Sequence, residues 1–183
     1  MVLILPVVLA ACGGDKPANQ ESAGTPAPAP VEVKASMQIV PATAGLSHEA
    51  AAAGQAAVSS RITDKRESMG EITFDTIGRL GVHPGREASS WVKLDVSGLN
   101  SLDLYPAIKS LSPACKENAL AGTVNLSVYA DDQLVDKVID VNRNTNDVVQ
   151  ISLKDAKQLR LEVDNQNGSI SCDWFVVSFS NVK

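Results

Sequence analysis

The sequence predicts an all-β fold, an antiparallel sandwich over residues 69–183. Three observations predict it. The hydrophobic period switches to two from about Met69 onward, turn-forming clusters separate the short apolar runs, and no stretch of useful helical length interrupts them. About 115 residues suffice for one independent core.

The elements follow in order. Ile72 and Phe74 suggest an opening strand. Val92, Leu94 and Val96 alternate with Trp91, Lys93 and Asp95, the pattern of a strand with one buried face. Leu102 and Leu104 suggest another. Val124, Leu126 and Val128 alternate with Thr123, Asn125, Ser127 and Tyr129. Val149, Ile151 and Leu153 form a further set, and Leu159, Leu161 and Val163 alternate with Gln158, Arg160 and Glu162. Trp174 to Phe179 is apolar on both faces and is expected to be a central strand, with Trp174 filling core. Asn165-Gln166-Asn167-Gly168 reads as a turn, because Asn-Gly readily supplies positive φ.

Composition narrows the function. The chain of 183 residues carries 16 Lys+Arg against 21 Asp+Glu, a net charge of −5. That balance lacks the basic face a nucleic-acid binder uses to neutralise phosphates. Mean hydropathy of +0.01 fits a globular protein. Two histidines and three cysteines are too few for a dedicated zinc cluster.

Residues 2–10 form an apolar run too short to cross a bilayer, which takes about 20 residues, but long enough for a signal-peptide core. No Lys or Arg precedes that run, a departure from the usual pattern. Leu9-Ala10-Ala11-Cys12 resembles the lipobox of bacterial lipoproteins. The resemblance implies cleavage after residue 11 and acylation of Cys12, where two or more acyl chains anchor stably. Residues 12–34, with Pro26-Ala-Pro-Ala-Pro30, then read as a disordered tether that lifts a domain from the membrane. The expected location is the bacterial cell envelope, at the outer membrane or periplasmic face.

Residues 35–68 read as linker or a marginal helix. Met37 to Val40 could make a short strand ended by Pro41. From Leu46 to about Arg66 the alanine-rich run has helix propensity, with Ser47 as an N-cap, but little to bury. His48 is expected to be exposed and without function. With Cys12 lipidated, Cys115 and Cys172 remain as one pair in an oxidising compartment, and a disulfide is the expected state.

A spread of residues carries a second resemblance: Gly81-Val82-His83, Trp91 to Val96, Gly122 to Asp131, Leu159 to Asp164, Asn167-Gly168 and Asp173-Trp174. Over roughly residues 70–183 these resemble the NPCBM domain, a carbohydrate-binding module found beside glycoside hydrolase family 98 catalytic domains. The resemblance implies a galactose-binding-like jelly-roll β-sandwich, some members of which bind galactose-containing glycans. Two features depart from the family: Asp131-Asp132-Gln133 replaces an Asp-Gly hairpin, and Cys172 precedes Asp173-Trp174.

For a ligand, Trp91 shares a face with Lys93 and Asp95 and follows the loop His83-Pro84-Gly85-Arg86, so Trp91, His83 and Arg86 form the candidate patch. Asp131, Asp132 and Asp136, or Asp164, Asn165 and Asn167, offer hard oxygens for a structural Ca²⁺, although turn chemistry explains both runs more simply. No cofactor is expected. No Gly-x-Ser-x-Gly elbow occurs, and His83 is the sole histidine of residues 69–183, so no catalytic residue is identified and a non-enzyme is expected. The function expected is non-catalytic binding of a glycan or other envelope polymer. The alternative is a structural lipoprotein with an envelope protein partner, its sandwich no longer binding sugar.

Overall fold

The computed structural model of the protein describes residues 34–109, 113–117, 122–166, 168, 170 and 172–183. The expected signal segment, Cys12, the expected tether as far as residue 33, and Asn167 lie outside the described residues. In chain order the elements are β1 (Ala35–Pro41), α1 (His48–Ser59), β2 (Ile62–Arg66), β3 (Thr73–Phe74), β4 (Leu80–Val82), β5 (Ser90–Asp95) and β6 (Ser101–Ile108). There follow α2 (Pro113–Glu117), β7 (Val124–Ala130), β8 (Gln133–Leu134), β9 (Ile139–Val141), β10 (Asp147–Leu153), β11 (Gln158–Asn165) and β12 (Phe175–Ser180).

The strands form two antiparallel sheets. The first has the order β1-β10-β6-β12-β4-β3, and the second β2-β5-β11-β7-β8, with β9 also pairing β7. Alternation makes the sandwich: Leu102, Leu104, Val149, Ile151, Phe175, Val177 and Phe179 of the first sheet, and Val92, Leu94, Leu126, Val128, Leu159, Leu161 and Val163 of the second, are all buried in one core. Each run contributes every second residue, as a period of two requires.

The segment 35–68 is not a linker. Its residues supply β1 on the edge of the first sheet, α1, and β2 on the edge of the second, so the sandwich begins at Ala35 and not at Met69. The helix is capped by Ser47, whose Oγ accepts from the Ala50 amide at 3.2 Å. Its lack of large apolar side chains is what lets it dock. Gly54 brings the helix backbone against the Phe179 carbonyl of β12, and only Val58 reaches the core. Burial by close backbone approach leaves no hydrophobic stripe, so the sequence marks the helix and its Ser47 cap but not its docking.

Asp131 and Asp132 take φ of 46° and 65°, the left-handed pair of a tight hairpin between β7 and β8, so Asp-Asp does here what Asp-Gly would do at lower steric cost. After Asn165 the chain crosses from the second sheet to the first, and Gly168 takes a φ of 75°, the positive value expected of an Asn-Gly turn.

Candidate functional site

Strand register gathers the loops at one end. Phe175 pairs with both Val82 and Ile108, and Asn165 pairs with Val124, so the described residues of the segments 83–89, 109–123 and 166–174 lie at that end of the sandwich. The connection 142–146 joins them, since β9 ends on Val124 and β10 starts beyond its pairing with β6. Cys115 of α2 is bonded to Cys172, fastening two of these loops together.

Asp173 is the polar centre of this end. It is fully buried, and its Oδ1 accepts from the Gly122 and Thr123 amides at 2.9 and 3.2 Å. Its Oδ2 is buried with no hydrogen-bond partner. Burial pushes the carboxyl above its ordinary value, against the two amides and the nearby His83 ring, which favour the charged form. Gly122 has to be glycine here: its φ is 76°, and a Cβ would lie 3.0 Å from the Ile108 side chain.

His83 lies beside that carboxylate and is itself buried. Its Nδ1 stands 2.7 Å from the Pro84 carbonyl, which can only accept, so Nδ1 carries the proton and Nε2 is left for another partner. The ring meets Trp174 edge to face at a centroid distance of 4.9 Å. Trp174 is 45% exposed. This corrects its assignment to the core: β12 begins one residue later, at Phe175, so Trp174 belongs to the loop and falls on the outer face beside His83. The Asp173-Trp174 pair carried the family resemblance, and that was the signal in the sequence.

The predicted patch is divided by the fold. Ser90 Oγ donates to the His83 carbonyl at 2.6 Å, which pins the loop bearing exposed Arg86 to the start of β5. The next residue, Trp91, is half-buried on the outer face of the second sheet, opposite Glu162 of β11 and Arg66 of β2. Lys93 Nζ lies 5.5 Å above its ring. On the neighbouring strand β11, the Arg160 guanidinium sits 4.0 Å over Tyr129 of β7 and pairs with Glu162, so Trp91 belongs to a row of cations and aromatics on a flat face. His83 instead partners Trp174.

Asp131 and Asp164, one from each candidate Ca²⁺ run, are engaged in hydrogen bonds within the fold. Asp131 Oδ1 accepts from the Lys157 and Gln158 amides at 3.0 and 2.9 Å, and its Oδ2 meets Lys34 at 3.1 Å. Burial opposes the charged form of Asp131, yet these bonds outweigh it and hold the carboxyl below its ordinary value. Asp164 Oδ1 accepts from Asn125 at 2.9 Å. Among the described residues no three His, Cys, Asp or Glu side chains converge as metal ligands.

No protein-family model matches the chain, and no curated protein is significantly similar to it. Among solved structures, it is similar to the tandem CBM51 modules of a family 98 glycoside hydrolase from Streptococcus pneumoniae. The TM-score is 0.50 at 15% identity, covering 76% of this chain and 51% of that one. The sandwich has the CBM51 fold.

The chain is also similar to the CBM51 of a Clostridium perfringens family 95 glycoside hydrolase, solved with methyl-galactose, at 18% identity and TM-score 0.43 over 64% of this chain and 77% of that one. It is similar as well to the M60 catalytic domain with two CBM51 domains of ZmpB from the same organism, at 18% identity and TM-score 0.44 over 66% of this chain and 14% of that one. The CBM51-like sandwich therefore spans only a small part of ZmpB and about half of the streptococcal tandem. The likeness is one of fold, as the sequence resemblance to a module of family 98 hydrolases implied.

Proposed function

We propose that the protein is a membrane-anchored lipoprotein of the bacterial envelope whose CBM51-like sandwich binds a glycan without catalysis, through the loops around His83 and Trp174. Trp174 carries the reading. A pyranose presents an apolar face of C–H groups that rests against an indole, and an aromatic that is half in water and half fixed by a neighbour suits that contact. Here the ring is held edge-on by buried His83, and the loop that bears it is fastened by the Cys115–Cys172 bond. Arg86 on the adjoining loop is exposed and offers donors to hydroxyls. Trp91, on the flat face with Lys93, serves an accessory contact in this reading.

A glycan array probed with the full-length protein, with and without calcium, tests the binding. The expected result is selective retention that Trp174→Ala weakens by about tenfold or more while Trp91→Ala leaves most of it, since one stacked aromatic is worth on the order of 1–2 kcal/mol. Anchoring rests on the lipobox alone and has its own check. Cys12→Ala is expected to move the protein from the membrane fraction to the soluble fraction, and unchanged membrane association would remove the lipoprotein reading.

A further inference from the structure

A second concavity lies away from the His83–Trp174 pair, on the outer face of the first sheet. The start of α1, the turn between β3 and β4, and the connection between β9 and β10 enclose a cleft of about 250 Å³ whose floor is β6 and β12. That volume is below the roughly 300–1,000 Å³ of pockets for drug-sized ligands, and suits a single sugar ring.

Its polar groups converge with their bonding capacity unspent. Tyr105 and Ser178 are cross-strand partners on the cleft floor. Ser178 is 6% exposed, yet its hydroxyl forms no hydrogen bond among the described residues, and neither does the Tyr105 hydroxyl or the Asp147 carboxylate. Ser178 keeps a little surface, and its hydroxyl is left for a ligand or water in the cleft. Thr145 and Asp147 form the rim.

Arg79 is the preorganised member. Its Nε donates to Asp75 Oδ2 at 2.9 Å and its Nη2 lies 2.8 Å from the same oxygen. Asp75 is fixed in turn, because its Oδ1 accepts from the Ile77 and Arg79 amides at 3.1 and 3.0 Å. The guanidinium is thus held in place at the cleft with its charge already matched.

We propose that this cleft is a second carbohydrate site, for one non-acidic monosaccharide unit. Tyr105 supplies the ring face and a hydroxyl, Arg79 and Ser178 supply donors, and Asp147 accepts from sugar hydroxyls. The electrostatics disfavour an acidic sugar, which meets the Asp147 carboxylate while the Arg79 charge is already matched by Asp75. Two sites on one anchored domain would grip a polymer by effective concentration without either being tight. The inference rests on the glycan reading, and apart from Thr145 and Asn146 of the connection 142–146 its residues lie outside the loops gathered around Trp174.

Calorimetric titration of the full-length protein and of Trp174→Ala with methyl-galactoside, N-acetylglucosamine and glucose separates the two, with glucuronate and glucosamine as charged probes. The expected result is one neutral-sugar site per chain that survives in Trp174→Ala. Combining Tyr105→Phe with Asp147→Asn is expected to weaken it by about tenfold, as two lost hydrogen bonds would. Amide shifts of Gly45 and Ala107, both at the cleft, should follow the same titration in the unmutated protein, which keeps the test valid if the double variant folds poorly. Loss of all neutral-sugar binding in Trp174→Ala, stationary amide shifts at the cleft, or a preference for glucuronate would overturn the second site. If the cleft variants abolish binding and Trp174→Ala does not, the loop reading fails and the cleft stands.

Discussion

Replacing Cys115 and Cys172 together by serine is expected to lower stability more than any other pair of surface-loop substitutions. The bond closes a segment with a sequence separation of 57. In the chain-entropy account a loop of that length constrains the unfolded state by about 4 kcal/mol, an upper figure for most proteins. For a domain of this size that corresponds to a fall of roughly 8–16 °C in melting temperature. The consequence reaches the candidate site, because Cys172 immediately precedes Asp173 and Trp174. Freed from α2, the loop would hold Asp173 against the Gly122 and Thr123 amides less firmly, and glycan retention should weaken along with stability. Thermal unfolding of the double serine variant checks this, and a midpoint within a degree or two of the unmutated protein would contradict it.

The second large effect concerns Gly54 and reverses an ordinary rule. In a helix interior, Gly→Ala stabilises by about 1 kcal/mol through propensity. At this position a Cβ would stand 1.8 Å from the Phe179 carbonyl oxygen and 2.6 Å from its carbon. Both atoms belong to a central strand and cannot yield, so α1 must lift from β12. Overpacking of this kind costs about 3 kcal/mol, and withdrawing Val58 from the core adds to it. The net expectation for Gly54→Ala is a destabilisation of about 2 kcal/mol or more, measured by denaturant titration. A stabilised variant would show that the helix is not seated on β12 as described.

The contrast between these two positions explains how much of the molecule could be read from its residues. Strands with one buried face, such as β5 with Val92 and Leu94 inward, announce themselves by alternation, and the sandwich followed from them. The pairing of Cys115 with Cys172 followed from compartment and count. What stayed hidden depended on approach and not on pattern. The helix docks through a glycine, and β1 and β2 join sheet edges whose partners, β10 and β5, are far away in sequence. The site was half legible for the same reason. His83 and Arg86 were named as candidates because their loop precedes a strand. Trp174 was placed in the core because it adjoins an apolar run, and a one-residue difference in where β12 begins turns it outward. Asp173 showed no sign in composition or spacing that its carboxylate would be buried between two loops.

The central claim is that the His83–Trp174 end of the sandwich binds a glycan. Retention of the full-length protein on a panel of galactose-type and cell-wall glycans, compared with Trp174→Ala, tests it most directly. The account predicts selective retention by the unmutated protein and its loss, by about tenfold or more, in a variant that keeps its melting temperature. Folded protein that is retained by no glycan, or retention that Trp174→Ala leaves unchanged, would contradict it.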